Sequence, residues 1–182
     1  MRNNFCLCIS GKIHHMLVID MLRKELNQDI LTFYNVKDIL KMKDKIIFTI
    51  DIPIIKKQTL DILYSNNNVP LNLHSGDTTK YRGNDCEYWS LLIDGFIICT
   101  LHELTEKIDG GRIIAQAQVD PIYNLDEIHI KIGQCYYKLI HQYLLNPEIG
   151  KQSNQYGTGK YYKKFPQFFL SILERKIEKN AK

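Results

Sequence analysis

Asn72-Leu73-His74-Ser75-Gly76-Asp77-Thr78-Thr79-Lys80-Tyr81-Arg82-Gly83 is the stretch of this sequence that decides the fold. It begins inside a short apolar run, Val69 to Leu73, which predicts a buried strand. Because side chains alternate between the two faces of a strand, Asn72 and His74 point the same way. A polar, glycine-containing loop follows at once. The stretch therefore predicts two polar side chains that are presented together at the end of a strand.

Apolar runs alternate with helix-like spacing on both sides of this stretch. Strands are predicted over 5–10, 30–34, 45–50, 69–73, 96–101 and 111–119. Helices are predicted over 14–26, 59–64 and 168–179, and from Asn124, which with Glu127 resembles a capping box, up to Pro147. This alternation predicts parallel β-α-β units in an open, mainly parallel α/β sheet flanked by helices. Ligands bind such sheets beyond the carboxyl ends of the strands, where Asn72 and His74 lie.

Length and composition indicate one globular domain. The chain has 182 residues, of which 45% are hydrophobic and 24% charged. A net charge of +4 fits either an anionic small molecule or an ordinary lysine-rich surface, and it falls short of a nucleic-acid-binding face. Five scattered cysteines suit a reducing compartment, and neither a membrane span nor a signal peptide is apparent. We expect a cytoplasmic protein with no membrane or nucleic-acid partner.

A second polar segment follows about thirty residues later, where Asp109 precedes Gly110-Gly111. An aspartate before two glycines is usually a turn residue, and a lone Asn or His at a strand end is usually a loop residue. Together, an amide donor, an imidazole and a carboxylate can move an acyl group onto an amine. His102 is predicted to be a structural histidine. His14 and His15 are predicted to lie on the surface, with phosphate binding at a helix start as the alternative.

These residues resemble the folate-dependent formyltransferase superfamily. Asn72, His74, Lys80-Tyr81-Arg82-Gly83 and Ile108-Asp109-Gly110-Gly111 match its motifs in residue type, order and spacing. The segment 157–164 also resembles a glycine-threonine-tyrosine-tyrosine-basic segment of the family. The resemblance covers most of residues 45 to 165. It implies the Rossmann-like formyltransferase fold with a shortened N-terminal half.

The same resemblance implies a single catalytic domain over residues 1–182. Residues 1–68 would form an abbreviated, cofactor-side part, and residues 69–165 would carry the catalytic motifs. Residues 166–182 would form a C-terminal helix. A homodimer is common in the family.

The loop after His74 discriminates within the superfamily. Purine and tRNA formyltransferases usually have a proline-serine-leucine-leucine-proline run there, whereas this chain has Ser75-Gly76-Asp77-Thr78-Thr79. That loop resembles the nucleotide-sugar N-formyltransferases, as does the run from Tyr81 to Trp89. The implied acceptor is the amine of a dTDP- or UDP-linked 4-amino-4,6-dideoxy sugar in glycan biosynthesis. Glycinamide ribonucleotide formyltransferase and an inactive folate- or nucleotide-binding relative are the alternatives. Formylation of initiator tRNA is less expected, because no basic RNA-binding domain follows the core.

The resemblance also implies the roles of the site residues. Asn72 and His74 would donate to the oxyanion, and Asp109 would accept the proton of the amine and raise the pKa of His74. The formyl donor would be 10-formyltetrahydrofolate, with no metal. The residues implied in cofactor binding are Ile52, Ile54, Ile55, Leu104, Thr105 and Asp109. The residues implied in substrate binding are Gly76, Asp77, Lys80, Tyr81, Arg82, Trp89 and Tyr161.

Overall fold

A computed structural model describes residues 4–180, except the side chains of residues 13, 14, 151, 152 and 180. Its strands are β1 (Phe5–Ile9), β2 (Thr32–Phe33), β3 (Ile46–Ile50), β4 (Val69–His74), β5 (Tyr81–Gly83), β6 (Ile98–Glu103), β7 (Ile113–Gln118) and β8 (Lys160–Tyr162). Its α-helices are α1 (Ile13–Leu26), α2 (Val36–Ile39), α3 (Lys57–Ser65), α4 (Cys86–Ile93), α5 (Glu127–Leu145) and α6 (Leu170–Asn180). Two 3₁₀ segments, Pro147–Gln152 and Gln167–Phe169, precede β8 and α6.

The main sheet has six strands in the order β2-β1-β3-β4-β6-β7. The first four strands, β2, β1, β3 and β4, run parallel to one another. The last two are antiparallel, β6 to β4 and β7 to β6. The predicted mainly parallel α/β sheet is therefore confirmed. The antiparallel step has a direct consequence for the site, because it places His102 of β6 opposite Asn72 of β4.

Helices cover both faces of the sheet, as the apolar strands require. Along β1 the side chains alternate between two buried clusters. Leu7 and Ile9 pack in the main core with Tyr136 of α5, whereas Cys6 and Cys8 pack in a smaller cluster with α2 and α3 residues. All five cysteines are free and buried, and burial raises the pKa of Cys6 to about 12. These thiols behave as small apolar side chains.

The helix predicted from Asn124 is confirmed as α5, and the predicted capping contacts are present. The Asn124 side-chain oxygen accepts from the Glu127 backbone N–H at 3.1 Å, and the Glu127 carboxylate accepts from the Tyr123 N–H at 3.3 Å. A polar side chain at this position stabilises the first turn, whose N–H groups otherwise lack partners. Helix α5 then packs against α1 on the same face of the sheet. No helix among residues 4–180 is both long enough and apolar enough to cross a membrane.

A second, two-stranded sheet stands beside the main one and was not predicted. Strands β5 and β8 are parallel, with Arg82 paired to Tyr161. Each has three residues, too few for an alternating pattern to be read from the sequence. This small sheet joins two family-like segments that are about eighty residues apart in the chain. The short helices α2 and α4 were missed for the same reason of length.

Candidate active site

A cavity of about 310 Å³ opens beyond the carboxyl ends of β1, β3 and β4. Each of these strands contributes a polar residue at or just after its end, namely Lys12, Asp51 and Ser75. Asn72, His74 and Asp109 also line it, as the sequence predicts for a site at this edge of the sheet. The remaining lining residues come from the segments that follow β3 and β6, from β4, from β5 to α4, from α5 and from β8. They are Ile52, Ile54, Leu73, Gly83, Asn84, Asp85, Glu87, Ile108, His129, Ile132, Tyr136 and Tyr161.

Two neighbours fix the orientation of Asn72. The Thr49 hydroxyl lies 2.8 Å from the Asn72 side-chain oxygen and donates to it. The amide NH₂ therefore faces His102, whose Nε2 lies 3.1 Å away. An NH₂ group can only donate, so Nε2 of a neutral His102 is the acceptor and its Nδ1–H donates to the Glu103 carbonyl at 2.8 Å. The amide N–H groups of Asn72 are thereby held on the side of the carboxylate.

His74 is buried, and its ring is held by the backbone of β5. Its Nε2 lies 3.1 Å from the Tyr81 carbonyl oxygen, which can only accept, so Nε2 carries a proton. Its Nδ1 faces the Asp109 carboxylate at 3.6 Å. Gly76 allows this arrangement, because a Cβ at that position would lie 2.9 Å from Nε2 of His74 and 2.8 Å from Cβ of Cys86. The nitrogen of His74 that can exchange a proton is therefore Nδ1.

Asp109 sits in a loop that the family-like segments hold from several sides. Its φ of 46° lies in the left-handed region, which an aspartate adopts at some cost. Its Oδ2 accepts from the Gly83 N–H at 2.8 Å. Arg82 donates to the carbonyls of Ile108 at 3.2 Å and Gly159 at 2.6 Å. Gly157 packs so closely that a Cβ there would meet the Asp109 carbonyl oxygen at 1.8 Å. Arg82 and the close packing at Gly157 thus serve to position the carboxylate.

The pKa values of Asp109 and His74 are both shifted, and the shifts set the protonation states of the two residues. Burial tends to raise the pKa of Asp109, but the nearby imidazoles of His74 and His102 and the hydrogen bond from the Gly83 N–H lower it to about 2. The charge of Asp109 does raise the pKa of His74, as expected, but it does not set the net direction of the shift. Burial lowers the pKa of His74 by more than Asp109 raises it, because charging a fully buried ring removes its hydration. At neutral pH the site therefore holds an ionised Asp109 beside a neutral His74.

The residues implied in cofactor binding come together in a smaller adjoining pocket of about 80 Å³. Ile52, Ile54, Ile55, Leu104, Thr105 and Asp109 all line it, together with Asn72 and His102. Its walls are mainly aliphatic, and the Ile54 side chain is 69% exposed. Aliphatic walls beside the Asn72 amide fit the edge of a flat heterocycle such as a pterin. These residues would hold the folate, whose role when bound is to supply the formyl group.

Most residues implied in substrate binding do not reach the cavity. Of that set, Tyr161 lines it. Lys80 instead pairs with Asp94 at 3.0 Å, and Arg82 is committed to the two loop carbonyls. Asp77 accepts hydrogen bonds from Thr79 and Gln116. All of these partners belong to the protein.

Two of the three aromatic residues of that set, Tyr81 and Trp89, also serve other purposes. Tyr81 is buried and packs against Tyr162 at 5.3 Å between ring centroids. The Trp89 indole N–H donates to the Lys163 carbonyl at 3.0 Å, and its ring packs on Phe165. Both belong to the aromatic contacts that fasten α4 to the C-terminal segment. The resemblance implied both in substrate binding, and neither lines the cavity.

Three residues in or beside the two pockets are placed in a way that the sequence did not indicate. His102 is a satisfied, buried histidine as expected, yet its Nε2 also lies 3.6 Å from Asp109. His15 was expected at the surface, but it is fully buried, with Nε2 3.3 Å from Asp51; the His14 side chain lies outside the described residues. Glu87 is 8% exposed and its Oε2 accepts from the Ser75 hydroxyl at 2.6 Å. The position of His102 depends on strand register and that of Glu87 on the short helix α4, neither of which has a clear sequence signal.

The fold is that of the formyltransferases. No protein-family model and no curated protein sequence matches the chain, whereas many solved structures do. A methionyl-tRNA formyltransferase from Clostridium thermocellum matches with a TM-score of 0.69 and 16% identity, over 96% of this chain and 81% of that one. The fold expected from the sequence motifs is thus confirmed.

Sugar N-formyltransferases are among the similar structures. A formyltransferase from Anoxybacillus kamchatkensis, solved with UDP-4,6-dideoxy-4-formamido-L-AltNAc and tetrahydrofolate, matches with a TM-score of 0.61 and 22% identity. The match covers 88% of this chain and 86% of that one. An N-formyltransferase from Helicobacter canadensis, in complex with folinic acid and dTDP-3-aminofucose, matches with a TM-score of 0.62 and 14% identity, over 87% and 70% of the two chains.

Proposed function

We propose that this protein is an N-formyltransferase that moves the formyl group of 10-formyltetrahydrofolate to the amine of a nucleotide-linked amino-deoxy sugar. The favoured acceptor is a dTDP- or UDP-linked 4-amino-4,6-dideoxyhexose. The observation that carries the proposal is the meeting of Asn72, His74 and Asp109 at one wall of the cavity, beside an aliphatic pocket, in a formyltransferase fold.

The reaction needs a hydrogen-bond donor that stabilises the oxyanion, and a group that accepts the proton of the amine. Attack of an amine on a formyl carbon forms the new C–N bond, develops an oxyanion and then breaks the bond to the folate nitrogen. The amine proton ends on that nitrogen. Asn72 suits the first need, because Thr49 and His102 already fix its amide and no reorganisation is required during the reaction.

His74 and Asp109 suit the second need. The Nδ1 of neutral His74 has a free lone pair and can take a proton next to the Asp109 carboxylate at 3.6 Å. With a pKa of about 2, Asp109 is ionised but weakly basic. It therefore stabilises a proton on Nδ1 of His74, which receives the amine proton as attack makes that proton acidic. Once charged, His74 can also donate to the oxyanion.

The sugar branch is supported by the loop after β4. Ser75 of that loop lines the cavity, and the protein structures that resemble this chain include two with UDP- and dTDP-linked sugars bound. Four carboxyl groups line the cavity against the single ammonium of Lys12. Because such a wall repels phosphate, we place the sugar amine inside the cavity and the nucleotide phosphates toward its mouth.

Turnover with a panel of acceptors tests the proposal. The protein is incubated with 10-formyltetrahydrofolate and nucleotide-linked 3-amino and 4-amino sugars, with glycinamide ribonucleotide as the competing acceptor, and products are identified by mass spectrometry. We expect formylation of a nucleotide sugar. Formylation of glycinamide ribonucleotide alone would instead indicate a glycinamide ribonucleotide formyltransferase. Folate binding without any product would indicate an inactive relative.

A further inference from the structure

Glu87 is a buried carboxyl group in the cavity wall to which the proposed reaction assigns no task. It lies in the first turn of α4 and is 8% exposed. Burial raises its pKa to about 7, a shift that the Ser75 hydrogen bond reduces and that the charges of Asp51 and Asp85 increase. A carboxyl group is costly to bury where an apolar side chain would pack, so its retention at a cavity wall suggests a ligand contact.

Ser75 ties Glu87 to the catalytic strand. It directly follows His74 at the end of β4, and its hydroxyl donates to Oε2 of Glu87 at 2.6 Å. The Ser75 side chain also interacts with the buried phenol of Tyr136, which lines the same cavity. The carboxyl group is therefore held in one orientation by a residue whose position relative to His74 is fixed by the backbone.

Glu87 and Asp109 meet different neighbours. The charged groups that act on Glu87 are Asp51 and Asp85, whereas His74 and His102 act on Asp109. An acceptor whose amine lies at Asp109 consequently presents another part of its ring to Glu87. Lys12 is engaged with Asp51 at 2.7 Å, so this part of the wall offers hydrogen-bond acceptors more than donors. Ring hydroxyls are the donors that an amino sugar has to offer there.

Building on the proposed function, we infer that Glu87, oriented by Ser75, is a specificity-determining residue that accepts a hydrogen bond from a ring hydroxyl of the amino-sugar acceptor. A site built around such a contact discriminates against an acceptor that lacks the hydroxyl, because the carboxyl is then buried without its partner. The contact would also set which ring position brings its amine to Asp109.

The test compares the best nucleotide amino sugar with analogues that each lack one ring hydroxyl. For the wild type, we expect kcat/KM to fall about 10- to 100-fold for one of the deoxy analogues. In Glu87→Met, which removes both oxygens at similar volume, the full acceptor should be used about 10- to 100-fold less well, through KM, and the preference over that analogue should vanish. Ser75→Ala should shift both quantities in the same direction by a smaller factor.

Glu25→Met is the matched control. Glu25 lies on α1, where its carboxylate is 3.8 Å from His141, and it does not line the cavity. The hydroxyl preference should be unchanged in that variant. If Glu87→Met does not fold, as judged by circular dichroism, the decision rests on Ser75→Ala. A wild-type preference in the folded variants would overturn the inference and leave formyl transfer standing. Absence of transfer by the wild type to any acceptor would overturn both.

Discussion

The two buried carboxyl groups of the cavity, Asp109 and Glu87, have opposite pKa shifts. Asp109 has two imidazoles and a backbone N–H within reach, and its pKa falls to about 2 despite burial. Glu87 has one hydroxyl donor and two acidic neighbours, and its pKa rises to about 7. The same chemical group is thus ionised at one wall and half-protonated at the other at neutral pH. Partners, more than depth of burial, decide which carboxyl can stabilise a proton on His74.

The largest effect is expected from neutralising Asp109. Asp109→Asn keeps an oxygen that can accept from Gly83, so the loop should hold its conformation. It removes the negative charge beside Nδ1 of His74, and kcat should fall about 1,000-fold. Steady-state kinetics with saturating acceptor measure this, with folate binding as the control for an intact site. A rate within threefold of the wild type would remove Asp109 from the mechanism.

Removing the preorganised amide is expected to cost less. Asn72→Ala should lower kcat about 100-fold with little change in KM, since the lost donor acts on charge that develops only during the reaction. Thr49→Val, which removes the hydroxyl that orients the amide, should lower kcat about 10-fold. If Thr49→Val were as damaging as Asn72→Ala, the hydroxyl itself would have to contact the reactants.

The opposite pKa shifts also predict opposite pH dependences of stability. The pKa of Glu87 is raised, so its burial costs nothing below its unfolded value near 4.5 and its full cost is present above about 7. That cost is about 3 kcal/mol. Denaturant unfolding of wild type and Glu87→Gln at pH 4 and pH 8 measures it. The variant should gain stability relative to the wild type as pH rises through this window, and a constant difference would contradict the shift.

Asp109 supplies the matched comparison. Its lowered pKa means that it stabilises the fold above its unfolded value of 3.8 and that this contribution is lost as pH falls toward about 2. The difference in unfolding free energy between wild type and Asp109→Asn should therefore shrink on acidification. Both carboxyl variants are needed because other groups titrate in the same pH range. Their contributions cancel in the difference in unfolding free energy between the wild type and each variant.

The smallest effects on kcat and kcat/KM are expected from substitutions in the Lys80–Gly83 segment. They distinguish a residue that positions Asp109 from a residue that binds the substrate. Arg82→Lys cannot reach both loop carbonyls in the same way and should lower kcat about 10-fold through misplacement of Asp109. Lys80→Ala breaks an exposed pair with Asp94 and should change kcat/KM by less than about twofold. A large rise in the acceptor KM in Lys80→Ala would instead restore the sequence-based interpretation of Lys80 as a phosphate ligand.

Some of the cavity residues can be predicted from local sequence patterns and motifs. The others cannot, because their positions depend on tertiary contacts. Asn72 and His74 follow from strand alternation, and the pocket residues Ile52 to Ile55 follow from motif resemblance. The position of His102 depends on an antiparallel register between β4 and β6, which no local pattern encodes. Glu87 depends on an eight-residue helix that begins after Asp85 in the left-handed region. Such features are set by tertiary contacts.

The charged residues show the same limit. The resemblance implies Lys80 and Arg82 in substrate binding, but local sequence does not reveal that Asp94 and two carbonyls already engage them. The pKa of His74 was misjudged because one charge was weighed without the burial of the ring. Burial is a property of the assembled fold, and it reverses the sign of the shift.

Product stoichiometry tests the central claim most directly. Wild type and Asp109→Asn are incubated in parallel with 10-formyltetrahydrofolate and the nucleotide amino-sugar panel, and formylated acceptor and tetrahydrofolate are both quantified. We expect the wild type to form one formylated sugar for each tetrahydrofolate released. In Asp109→Asn, both should form about 1,000-fold more slowly. Release of tetrahydrofolate without a formylated acceptor, or equal rates in the two proteins, would contradict it.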